Sequence, residues 1–120
     1  MILDKRYFSI EIAFTDLQGT KRRLYFHNGT HVHECAAVTV QPLHARIEHD
    51  LLVEGKWLNL QIDVQSFIEP LFSQPNFRSI DNITICGDCR LRRVFTTKHQ
   101  VPETVENPLI RPDIYTEPVH

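Results

Sequence analysis

The side chains most able to do chemistry fall in two places. Cys86-Gly87-Asp88-Cys89 sets two thiols at the spacing of a zinc knuckle, and His31, His33 and Cys35 are available as further ligands. Structural zinc takes four Cys or His ligands in a tetrahedron. A single C-x-x-C, with neither a second one nor an H-x₃₋₅-H partner, is a weak signal for it. Cys89 also opens a segment in which Leu91 shares its face, which suits a small core residue. A redox reading needs a helix N-terminus to lower a thiol pKa, whereas Gly87-Asp88 are turn residues. No bound metal and no cofactor are therefore expected.

Nothing in the chain matches a nucleophile elbow, a phosphate-binding loop or a zinc-protease helix. The histidines 27, 31, 33, 44, 49, 99 and 120 read as surface or loop residues, and the expectation is a protein that is not an enzyme. Positive charge is more suggestive. Lys21-Arg22-Arg23 and Arg90, Arg92 and Arg93 are concentrated runs, while the carboxylates are scattered. The net charge of −2 argues against a general nucleic-acid binder, but a near-neutral chain can still carry one basic face for an acidic polymer. Neighbouring arginines on a strand cannot both point outward. A bulge near Arg92-Arg93, or pairing of one arginine to Asp63 or Asp81, would resolve this. A solvated face with internal ion pairs is the plain alternative to a binding face.

The elements that must hold these runs are mostly strands. Phe8, Ile10, Ile12 and Phe14 alternate with Ser9, Glu11, Ala13 and Thr15, the period of a half-buried strand. Asp16-Leu17-Gln18-Gly19 supplies a turn, and Thr20–His27 returns with Leu24 and Phe26 inward, making a hairpin. Residues 28–37 read as loop. Val38–Val40 and Leu43–Glu48 are short strands, the second with Leu43, Ala45 and Ile47 on one face. Trp57–Val64 is the clearest strand of the chain. Gln65–Phe72 has helical spacing, with Asp63 or Ser66 as cap and Pro70 limiting it to about two turns. Ile80–Cys86 and Cys89–Thr96 form a final pair around Gly87-Asp88. The sum is an all-β chain, an antiparallel β-sandwich or jelly-roll-like fold with one short helix.

One domain of residues 1–98 is expected, followed by a Pro-rich tail or linker over 99–120, which holds four of the seven prolines and no alternation. Three cysteines, an odd count, and no signal peptide or long apolar span point to a reduced intracellular setting and no membrane. The N-x-T tripeptides at Asn28 and Asn82 are the kind that occur by chance.

Trp57–Val64, Phe67, Phe77–Ile83 and above all Cys89-Arg-Leu-Arg-Arg-Val-Phe95 resemble the domain of cilia- and flagella-associated protein 20. Asp16–Phe26 and Pro42–Arg46 look most like the branch that carries this domain ahead of a long C-terminal region. The resemblance spans about Tyr7–Thr97. It implies a β-sandwich-like fold and a chain beginning after the first strands of the domain. It also implies a non-enzymatic role in cilia, flagella or centrioles. The founding member of that family sits at the inner junction of axonemal doublet microtubules, and another relative belongs to the centriole wall. The implied partners are tubulin or doublet-associated proteins, in the cytoskeleton of the cilium or basal body. No nucleic acid or membrane is implied. Only the position of Cys89 is typically cysteine in the family.

On this reading Lys21, Arg22, Arg23, Arg90, Arg92 and Arg93 form a basic face for acidic tubulin or an inner-junction protein. The rival is a glycan-binding β-sandwich with Trp57, Tyr7 and Tyr25 as its platform; a small zinc domain is the lesser alternative.

Overall fold

In the computed structural model, residues 1–28, 38–49, 54–74 and 76–110 are described. The hairpin is the centre of the fold: β1 (Ser9–Asp16) and β2 (Lys21–Asn28) pair antiparallel from Ser9↔His27 to Thr15↔Lys21. Alternation does what the pattern predicts. Ile10, Ile12, Phe14, Leu24 and Phe26 are all buried on one side. The turn is tied by Asp16, whose carboxylate accepts N–H bonds from Gln18 and Thr20, both at 2.9 Å. Gly19 closes it at φ 87°, a conformation that glycine adopts without a side-chain penalty.

Beyond the hairpin, β3 (Val38–Val40) and β4 (His44–His49) pair antiparallel, and β4 lies parallel to β2. A parallel pair needs a long connection, and the chain between residues 28 and 44 provides it. Ala45 and Ile47 are buried as expected, while Leu43 is exposed. The long strand β6 (Phe77–Cys86) lies on the other side of β1, so the main sheet runs β3-β4-β2-β1-β6.

The helix α1 (Val64–Phe72) covers the inner face of the hairpin. Asp63 is its N-cap, with the Ser66 N–H donating to Asp63 Oδ1 at 3.4 Å. Pro70 removes one helical donor, and the helix ends two residues later with Ser73 in the left-handed region. Phe67 meets Phe26 edge-on at 5.1 Å, and Phe72 meets Phe14 at 5.8 Å. These contacts join helix and sheet into one core that also includes Ile47, Ile68 and Ile110.

The fold is mostly strand with one short helix, β-sandwich-like as the pattern implies. Three expectations change. The sheet is mixed, not purely antiparallel. The segment 57–64 contributes only β5 (Gln61–Ile62), paired parallel to β7 (Leu109–Ile110) inside the stretch read as a tail. The N–H groups of Asn59, Gln61 and Asp63 donate in turn to the carbonyls of Glu106, Pro108 and Ile110. The Gln61 side chain clamps Val101 with two further bonds, and Ile110 is buried. Residues 99–110 therefore pack onto the body of the fold. Finally, Cys89–Thr96 is not a strand. Gly87, at φ 113°, turns the chain away against the backbone of Tyr7 and Phe8, and Leu3 and Met1 take the place of β6 as partners. The Leu3 N–H donates to the Asp88 carbonyl at 2.8 Å, and the Arg90 N–H to the Met1 carbonyl at 2.7 Å.

Candidate functional site

The two basic runs do not meet. Lys21 stands opposite Thr15 at one end of β1, while Cys86, just before the turn that leads to Arg90, stands opposite Ser9 at the other. Those two β1 positions are about 20 Å apart at the rise of a strand. The expected single face is thus two separate basic surfaces. Arg90, Arg92 and Arg93 lie on an exposed irregular segment, with the Arg93 guanidinium 5.8 Å from the Phe95 ring. No bulge is needed there, because there is no strand.

Within the first run the three residues divide by face. Lys21 and Arg23 alternate with buried Leu24 and point outward; Arg22 shares the inner side with Leu24 and Phe26. Its Nε donates to Asp16 Oδ2 at 2.9 Å, another of its nitrogens donates to the Pro42 carbonyl, and its guanidinium lies 5.2 Å from the centre of the Phe72 ring. Arg22 is a fastening inside the fold, not part of a surface. The inward arginine pairs with Asp16, and neither Asp63 nor Asp81 takes that role. The guanidinium, with the turn N–H groups of Thr20 and Gln18, holds the Asp16 carboxyl below the ordinary aspartate range.

The outer face of the sheet carries what remains. Cross-strand register puts His44, Arg23, Ala13 and Asn82 in one row across β4, β2, β1 and β6. Beside it lie Arg46, Tyr25, Glu11 and Thr84 on one flank, and Lys21 and Thr15 on the other. Asp81 is skipped in the pairing, which passes from Asn82 to Ile80 at a bulge. Its carboxylate accepts from the hydroxyls of Ser79 at 2.6 Å and Thr15 at 2.5 Å, which hold it below its ordinary pKa, with Lys21 adding to the effect. A depression of about 530 Å³ sits over this row. His44, Arg46 and Asn82 were not among the binding residues expected from sequence. Each strand is legible alone, but the order that makes them neighbours is not.

A protein-family model, the CFA20 domain, matches residues 1–110. The chain belongs to the CFA20 domain family. No solved structure matches it. The family is a cilia- and flagella-associated one, and the match carries the domain through β7, beyond the boundary expected at Lys98. In this CFA20 domain the C-x-x-C turn is split between surroundings: Cys86 is exposed at the end of β6, and Cys89 bridges to Ile2. Among the described residues no three His, Cys, Asp or Glu side chains gather to hold a metal; His31, His33 and Cys35 lie outside them. The three aromatic residues of the glycan reading differ in their surroundings. Tyr25 lies under Arg46 at 4.9 Å and Tyr7 under Arg6 at 5.3 Å, so one face of each ring has a guanidinium against it, while Trp57 is exposed. Of the two N-x-T sites, Asn28 is buried and Asn82 is open.

Proposed function

We propose that this CFA20 domain is a non-enzymatic structural component of the cilium or flagellum that attaches to tubulin or a doublet-associated protein through exposed cations. Family membership over residues 1–110 is the observation that carries the reading. Two surfaces are available for it: Lys21 and Arg23 on the sheet, and Arg90, Arg92 and Arg93 on the segment after β6. Arg22 is withdrawn from the set because its charge is already paired with Asp16. Exposed cations attract an acidic filament through solvent, so the attachment weakens as salt shortens the screening length, about 10 Å at 0.1 M.

Co-sedimentation with microtubules at two salt concentrations tests this. Binding that falls with salt, and falls further when either exposed group is changed to glutamine, supports the reading. Absence from the pellet at both salts would overturn attachment to the microtubule itself.

A further inference from the structure

We propose that the groove crossing the outer face of the sheet over Ala13 docks an extended acidic polypeptide segment, one bearing glutamate or aspartate side chains. This rests on the reading that the chain works by holding a partner, and it names that partner's chemistry.

The groove exists because of one small side chain. Ala13 lies between Arg23 and Asn82 in the row that begins at His44. Its methyl lies in the floor of the depression, and the longer side chains of Lys21, Arg23, His44, Asp81 and Asn82 stand round it. Four strands at about 4.8 Å spacing make the row about 14 Å long, the span of about four extended residues. That length suits a stretch of chain better than a lone anion.

Its charges are arranged along this axis. The end over β2 and β4 has exposed Lys21 and Arg23, with the His44 imidazole beside them as a hydrogen-bonding group. Arg23 is only loosely engaged: its nearest Glu11 oxygen is 3.7 Å away and its side chain is 64% exposed, against 2.9 Å and 15% for Arg22. Its fork of donors is therefore presented outward, in the geometry that matches a carboxylate. At the β6 end, Asp81 is kept ionised by the hydroxyls of Thr15 and Ser79. It repels acidic side chains there and accepts backbone N–H groups, while the exposed Asn82 amide can both donate and accept. The gradient orients a segment with its carboxylates over β2 and β4 and its backbone against β6. Since the chain as a whole is at −2, the attraction is local to this face.

The test is fluorescence anisotropy of a labelled oligoglutamate peptide with the full chain, beside a labelled single-stranded oligonucleotide of equal charge. Ala13→Leu fills the floor without altering any charge, and Asn82→Phe fills the groove from the exposed edge strand should the first variant fail to fold. Each filling variant is expected to weaken peptide binding about tenfold or more, as is Lys21→Gln with Arg23→Gln. Changing Arg90, Arg92 and Arg93 to glutamine should leave it unchanged. Undiminished peptide binding by a folded groove-filled variant, or equal binding of the oligonucleotide, overturns the proposal. Microtubule co-sedimentation of the same variants separates the two readings. Pelleting that survives loss of peptide binding in the groove-filled variants leaves attachment to the other basic surface. Peptide binding without pelleting keeps the groove and removes the microtubule as its partner.

Discussion

Arg22 donates from Nε to an Asp16 oxygen at 2.9 Å, and that carboxylate has no solvent exposure. The bond joins the last residue of β1 to the second of β2 across the turn, on the face where the helix packs. Asp16→Asn should therefore lower the unfolding midpoint more than Glu11→Gln, whose partner Arg23 is 3.7 Å away and exposed. Arg22→Gln should behave as a stability variant, lowering the unfolding midpoint by removing the same bond from the other side. Urea denaturation of the four proteins checks both expectations.

The same carboxylates set the acid limit. Asp16 and Asp81 both have folded-state pKa values below the ordinary 3.8. A depressed carboxyl contributes stability that is complete above its unfolded value and lost as pH falls through the folded one. Unfolding followed by circular dichroism should show little change from this source above about pH 5 and a loss below 3.8. Asp16→Asn and Asp81→Asn should each flatten that loss.

Phe67 is fully buried and meets Phe26 at 5.1 Å. Phe67→Ala should cost about 3–5 kcal/mol by removing one of the two ring contacts that join helix to hairpin. Trp57→Ala, at an exposed position, should cost far less. Chemical denaturation of the pair measures the contrast.

Ile110 is 2% exposed and belongs to β7. Ile110→Ala should cost about 2–5 kcal/mol, a value expected of a core residue and not of a tail. A chain ending at Lys98 should be less stable still, because it loses the partners of Asn59, Gln61 and Asp63 as well.

Two glycines with positive φ should respond differently to alanine. At Gly19 an added Cβ meets nothing within 4 Å, so the cost is the backbone penalty of about 1–2 kcal/mol. At Gly87 the Cβ would come within 2.8 Å of Phe8 Cα and the Tyr7 carbonyl oxygen. Gly87→Ala should cost clearly more, and its damage should reach the Met1–Leu3 pairing that the turn makes possible.

Local pattern by itself determined the hairpin, the inward faces of β1 and β2, the short helix with Asp63 or Ser66 as its cap, and a chain made mostly of strands. Those features depend on side-chain period and turn chemistry, which act between near neighbours. Tertiary structure alone decided the rest. Both Trp57–Val64 and Cys89–Thr96 alternate well enough to be strands, but a strand exists only where another backbone meets its donors and acceptors. The first finds residues 106–110 and is reduced to a short ladder; the second loses β6 at Gly87 and finds only Met1–Leu3. Arg22 and Arg23 are equivalent in sequence, yet the face that packs against α1 spends one on Asp16 and leaves the other to solvent. The groove over Ala13 was not legible at all, since its residues become neighbours only through the order β4-β2-β1-β6, which no local signal encodes.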